Sequence, residues 1–168
     1  MKNPPKNNSK ETIKELEKLH KKEKKRAKER ENKINEEKFY KNLFKSWPMI
    51  TKEDIKLITY FTENILNPII IKLKMKYNRV RPSYLDKSLN PSINIPKHPS
   101  YPSGHAIQVY TAALLSGKKY PEYNDVYIKK ANDIAVNREH AGVHYSSDTK
   151  YGEEIARKLV TIIDNPIL

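Results

Sequence analysis

Residues 51–77 read TKEDIKLITYFTENILNPIIIKLKMKY, and their pattern decides the fold class. Thr51 followed by Asp54 has the spacing of a capping pair that opens a helix. Behind it, Ile55, Ile58, Phe61 and Ile65 recur at helical intervals. Asn67-Pro68 reads as a restart, since Asn caps and Pro suits the first helical position. Ile69 to Tyr77 continues as a second helix, which ends before Arg81-Pro82 because the residue preceding a proline is pushed out of the helical region.

Working downstream, residues 82–102 carry Asp86, Asn90-Pro91, Asn94, Pro96 and Pro99 with no periodicity, the mark of a long loop, and loops of that length usually serve a site. Helical pattern returns at Ser103 to Leu115, from Pro121 or Asp125 to Val136, and from about Ser146 to Ile163. No segment alternates as a strand does, so the expected architecture is an all-α bundle. Upstream, Phe39, Leu43, Phe44 and Trp47 mark where the folded part begins. Residues 1–38 read as a Lys/Glu-rich extension, disordered over 1–9 and helical from Lys10, and residues 39–168 as the helical domain. After Ile13, Leu16 and Leu19 the extension has no large apolar residue until Ile34, so it lacks a stripe to bury and reads as an appendage.

The 168 residues suit one domain, and the absence of cysteine removes disulfides, thiolate metal sites and cysteine nucleophiles together. The net charge of +13 is split between the extension, with 14 basic and 8 acidic residues, and the remainder, so both parts attract anions. The extension has no aromatic residues interleaved among its charges, which gives nucleic-acid recognition no specific support. Peripheral contact with an anionic membrane through these basic residues is the one surface role its charge suggests. No apolar h-region follows the first positive charges, and the apolar run from Ile55 to Met75 is interrupted by Lys56, Glu63 and Lys72. The reading is a chain with no signal peptide and no membrane span, which points toward the cytoplasm.

Three short pieces carry the chemistry. Lys74 is followed after six residues by Arg81-Pro82; Tyr101-Pro102 leads into Ser103-Gly104-His105; and Asn137-Arg138 is followed after five residues by His144 and after three more by Asp148. Together they resemble the signature of the superfamily uniting type-2 phosphatidic acid phosphatases, bacterial non-specific acid phosphatases and vanadium-dependent haloperoxidases. That signature is Lys, six residues, Arg-Pro; Pro-Ser-Gly-His; and Ser-Arg, five residues, His, three residues, Asp. Order and spacing match throughout, with Asn137 in place of the usual Ser, a small polar residue that can still cap or hydrogen-bond locally.

The residue chemistry fits phosphoryl transfer, which needs fixed positive charge around the equatorial oxygens, an in-line nucleophile and an acid for the leaving oxygen. Arg81 and Arg138 present planar forks to phosphate and Lys74 a point charge. Ser103 and Gly104 open a helix whose unpaired N–H groups can face an anion, and the missing Cβ at Gly104 permits close approach. His144 and Asp148 share a face if the last helix begins slightly before His144; the carboxylate then fixes the tautomer and leaves the other nitrogen free to attack. His105 serves as acid and then base. The resemblance implies the same roles: Lys74, Arg81, Ser103, Gly104 and Arg138 on phosphate, His105 as acid-base, His144 as nucleophile, Asp148 behind it.

Tyr101 and Tyr145 read as packing residues, His98 as an exposed loop residue, and His20 as solvated. No acidic cluster has metal-ligand spacing, so the expected activity is a metal-independent phosphatase, acting on a phosphorylated small molecule or a lipid phosphate and needing no cofactor. Vanadate is then an inhibitor. The alternatives are a haloperoxidase, in which vanadate in the same pocket is the cofactor, and a catalytically silent relative that binds polyanions. An enzyme should survive removal of the chain before Asn35, whereas a tail-driven binder should not.

Overall fold

A computed structural model describes residues 2–29, 43–44 and 47–163. The boundary expected at residues 38 and 39, and Phe39 with it, lies outside the described residues. Among those described there is no strand, as the sequence pattern requires.

Helix α1 spans Lys10–Glu29. α2 (Lys52–Tyr60) opens with Thr51 and Asp54 each accepting the other's backbone N–H at 3.1 Å, the capping pair expected from their spacing. The restart expected at Asn67-Pro68 does not occur. The chain passes from α2 through a π-helical turn, Phe61–Leu66, into α3 (Asn67–Tyr77) without leaving helical dihedrals. Proline lacks the N–H that an α-helix would use at residue 68, and widening the preceding turn to the π pattern absorbs that loss within one continuous rod. Asn78, left-handed at φ 45°, ends α3 by donating its N–H to the Lys74 carbonyl at 2.8 Å. The short α4 (Pro82–Leu85) follows, then the long loop, α5 (Gly104–Lys119), a 3₁₀ turn at Pro121–Tyr123, α6 (Asn124–His140) and α7 (Ser146–Ile162).

α5 is the central helix. Its buried residues fall on several faces, among them Ala106, Ile107, Val109, Tyr110, Ala112, Ala113 and Leu115, as expected for a helix enclosed by others. Leu43, Phe44 and Trp47 join the cluster it forms with Ile58 and Tyr127, and Trp47 stacks on Tyr127 with ring centroids 4.9 Å apart. α7 crosses α5 at Gly152, where a Cβ would stand 2.7 Å from Ala106 Cβ and 2.8 Å from the Ser103 carbonyl oxygen. Only a residue without a side chain fits this crossing.

The N-terminal segment is not an appendage over its described part. Thr12 and Leu19 of α1 are fully buried, and Leu19 packs with Leu89 and Tyr145. Thr12, Glu15, Leu16, Leu19 and Lys22 form the inward stripe at helical spacing, but it is half polar, so apolar periodicity alone does not reveal it. Burying one leucine contributes about 2 kcal/mol, comparable with the cost of ordering one or two residues. The docking therefore leans on polar contacts: Lys22 to Glu139 at 2.8 Å, Arg79 to Glu15 at 2.8 Å, and His20 Nε2 to Asp86 at 2.8 Å. His20 is thus paired rather than merely solvated.

Asp54 is buried and also accepts from Lys119 and, at 2.8 Å, from Tyr120. Burial alone would raise its pKa, yet these donors and the Thr51 cap lower it from 3.8 to about 2. The corresponding stability, about 2 kcal/mol, is fully present above the unfolded carboxyl's pKa and disappears as pH falls through that of the folded one. Asp54→Ala is expected to lower the melting temperature at pH 7 by several degrees, with the gap to the parent closing between about pH 4 and pH 2; a gap independent of pH would contradict this account.

Candidate active site

Lys74 lies in the last turn of α3, fully buried, and its ammonium donates to three carbonyls of the long loop: Pro99 and Ser100 at 3.1 Å and Pro102 at 2.7 Å. Arg81 caps the start of α4 from an extended conformation, as a residue before proline should. Its Nε donates to the His98 carbonyl at 2.9 Å, its Nη1 to the Val143 carbonyl at 2.7 Å, and its Nη2 lies 3.1 Å from His98 Nδ1. Both cations were expected to serve phosphate. In the structure they also bind the loop and the turn before α7 into one body around the site.

The Pro-Ser-Gly-His piece follows a cis Tyr101–Pro102 bond. Ser103 is the N-cap of α5: its hydroxyl accepts the Ala106 N–H at 3.3 Å, and its own N–H donates to the Asp148 carbonyl at 3.0 Å. Gly104 has a packing reason beyond the expected approach of a ligand, since a Cβ there would come within 3.2 Å of Ile70 and 3.7 Å of Lys74. His105, in the first turn of α5, keeps partial exposure.

α7 begins at Ser146, where the helical pattern placed it, so the condition that it open before His144 is not met. The expected i, i+4 pairing on one helical face is therefore replaced by a capping arrangement. Asp148 Oδ2 accepts the Tyr145 N–H at 3.1 Å and also faces His144 Nδ1 at 3.1 Å. A carboxylate can only accept, so Nδ1 carries the proton and Nε2 the lone pair. The other oxygen, Oδ1, accepts from Arg79 Nη1 at 2.7 Å, and the Arg79 guanidinium lies 3.8 Å over the Tyr145 ring. Arg138, buried in the last turn of α6, completes the set.

The electrostatics follow from crowding cations into a buried site. Lys74 is brought down from 10.5 to about 7 by burial and by the Arg81 charge, against the pull of Asp148. Burial and the surrounding cations hold both His105 and His144 well below 6.5; Arg138 acts on both, and His144 acts on His105. Burial pushes the Asp148 carboxyl up, opposed by Arg79 and the Tyr145 N–H. An oxyanion entering here would relieve the repulsion among Lys74, Arg81 and Arg138.

The chain is similar to a non-specific acid phosphatase of Providencia stuartii, 29% identical over 126 residues that make up 70% of this chain and 51% of that protein. Among solved structures, the first bacterial vanadium-dependent iodoperoxidase superposes with a TM-score of 0.63 at 18% identity, covering 98% of this chain and 52% of that one. The fold is of the vanadium haloperoxidase and acid phosphatase type. It spans about half the length of these two relatives. No protein-family model matches it.

Against the superfamily signature, the structure brings the three pieces to one place. Asn137, the departure from Ser, is exposed inside α6 and three residues short of its end, so it is not a cap. Tyr101 and Tyr145 are packing residues as expected, but Tyr101 donates its hydroxyl to the Lys2 carbonyl at 2.9 Å instead of to water. Sequence reasoning passed over Arg79 and set aside His98. Arg79 stands two residues before Arg81, and the only available signal was that a second arginine adjoins the motif. The sequence reads His98 as a loop residue in solvent, yet it is partly buried beside Arg81.

Gly152→Ala would push α7 away from α5 at the Ser103 cap. We expect it to cost about 1–3 kcal/mol, read as a melting temperature several degrees lower. An unchanged melting temperature would show that the crossing is looser than described.

Proposed function

We propose that the chain is a phosphomonoester hydrolase working through a phosphohistidine on His144, without a metal. The observation that carries this reading is the pairing of His144 Nδ1 with Asp148, because it leaves Nε2 as a lone-pair donor in a buried site rich in cations. In the first step Nε2 bonds to phosphorus as the ester P–O bond breaks, and His105 gives its proton to the departing alkoxide. The imidazolium formed at His144 is stabilised by Asp148. In the second step His105 takes a proton from water, whose oxygen attacks phosphorus, and the N–P bond returns its electrons to His144. Lys74, Arg81 and Arg138 spread positive charge over the transferred group, the work a metal does elsewhere.

Support for the metal-free reading is that, among the described residues, no group of three or more His, Asp or Glu could hold a metal ion. Among the same residues, no helix is long and apolar enough to cross a membrane.

The fold likeness to an iodoperoxidase favours one second reading. Vanadate is an oxyanion of the same shape as phosphate, and His144 with the same cations would hold it. Bound there, it would supply peroxide activation for halide oxidation.

Hydrolysis of p-nitrophenyl phosphate by the purified protein should persist in EDTA, be inhibited by vanadate, and fall by at least about a thousandfold in His144→Ala. Halide oxidation with vanadate and peroxide, in a protein that does not hydrolyse the ester, would favour the second reading. The pH profile should be acidic. His144 must be neutral to attack, and its depressed pKa keeps it so in mildly acidic solution; His105 must be protonated to act as acid, and its depressed pKa makes that state decline as pH rises. The expected kcat/KM optimum is therefore below pH 6.5, and an optimum above pH 8 would exclude His105 as the acid.

A further inference from the structure

Arg79 joins two carboxylates from distant parts of the chain. Its Nη1 donates to Asp148 Oδ1 and to the Ser147 hydroxyl, both at 2.7 Å; its Nη2 donates to Glu15 Oε2 at 2.8 Å and to the Thr12 hydroxyl at 3.2 Å. The guanidinium is 1% exposed and Glu15 11%. Glu15 makes two further contacts at the start of α7: Oε1 accepts the Ser147 backbone N–H at 2.7 Å, and Oε2 accepts the Ser147 hydroxyl at 3.1 Å. A residue of α1 thus does for α7 what a capping side chain does within one helix, satisfying an N–H that the helix itself leaves unpaired.

We propose that Glu15 is a positioning residue of the site, acting through Arg79 on Asp148 and thereby on His144; the proposal rests on His144 being the nucleophile. The argument is one of charge balance. A buried arginine facing Asp148 alone would neutralise that carboxylate and leave little negative charge for the imidazolium that forms at His144. Sharing the arginine between two carboxylates leaves the group of three with one net negative charge, and the oxygen nearest His144 remains an effective partner. The same contacts set the rotation of the Asp148 carboxylate, since Oδ1 is held by Arg79 and Oδ2 by the Tyr145 N–H. The other titratable and charged groups facing His144 are Lys74 of α3, Arg81, His98 of the loop, His105 of α5 and Arg138 of α6, whereas Glu15 bonds to Arg79 and Ser147. Its effect should therefore fall on the nucleophile and not on anion binding.

The test compares the full-length parent with Glu15→Gln and Glu15→Asp by two readouts. The first is steady-state hydrolysis of p-nitrophenyl phosphate against pH. The second is NMR titration of the His144 imidazole nitrogens, assigned with His144→Ala. Glu15→Gln keeps the shape and removes the charge: kcat should fall by about ten- to a hundredfold, as for other groups that orient a catalytic ligand, with KM within about twofold. The His144 titration should move to lower pH, because imidazolium loses a stabilising charge. Glu15→Asp keeps the charge, so its titration should lie near the parent's. A folded Glu15→Gln whose His144 titration and kcat both match the parent's would overturn the proposal. Should Glu15→Gln not fold, Glu15→Asp decides: its shortened reach should lower kcat while preserving the titration, and a parent-like kcat would sink the idea. If the parent itself shows no hydrolysis, the proposed activity fails, and the titration shift still decides whether Glu15 acts on His144.

Discussion

The structure turns on the ion pair between Arg79 and Asp148, buried where α1, α3, the long loop and α7 meet. Removing two such charges from water costs several kcal/mol for each ion, and their mutual attraction offsets this only when the remaining donors and acceptors are satisfied. Here most partners are at hand, Arg79 Nε being the one buried atom of the pair without a hydrogen bond. Asp148 accepts from Arg79, from the Tyr145 N–H and from His144, while Arg79 reaches Glu15, Thr12 and Ser147 and lies on the Tyr145 ring. These groups come from three stretches of chain, α1, Arg79 just after α3 and residues 144–148, so the network is complete only when all three are in place. It ties the geometry of His144 to the completeness of the fold.

The same economy holds for the cations. Lys74 and Arg81 spend much of their hydrogen bonding on backbone carbonyls of the loop and of Val143. These bonds organise residues 98–102 before any substrate arrives, and they keep positive charge concentrated in a site with little water to screen it. Burial first, and that concentration of charge second, depress the pKa of Lys74 and of both histidines. A phosphate group entering the site would meet fixed charge that need not reorganise, which is the condition for strong electrostatic stabilisation of a transition state.

The N-terminal extension shows where pattern reading is misled. A charge-rich helix without an apolar stripe ordinarily belongs in solvent, and deletion of everything before Asn35 looked harmless on that basis. Docking is instead achieved through Thr12, Glu15, Leu19 and Lys22, of which only one is a large apolar residue. Their partners are Arg79, Leu89, Tyr145 and Glu139, all distant in sequence, and nothing local to α1 signals them. The π turn at Phe61–Leu66 has a similar origin: Asn67-Pro68 is a valid start signal, but helical conformation continues through it because the rod's inner row, Ile58, Thr62, Leu66 and Ile70, is buried along its whole length.

By itself the sequence determined the helical class, the Thr51 cap, a helix start at Ser103-Gly104, most helix limits within a few residues, and the three pieces from Lys74 to Asp148 that gather at the site. Those features are local: caps, proline positions and apolar spacing act over a turn or two of chain, so they are written in consecutive residues. Tertiary structure alone decided that Asp148 reaches His144 while capping α7, that Gly104 and Gly152 mark close helix contacts, and that the cations bind carbonyls. It also decided that Arg79 joins Glu15, 64 residues away, to Asp148, 69 residues away. Such pairings depend on burial and on which donors remain unsatisfied once the helices pack, and no periodicity along the chain records either quantity.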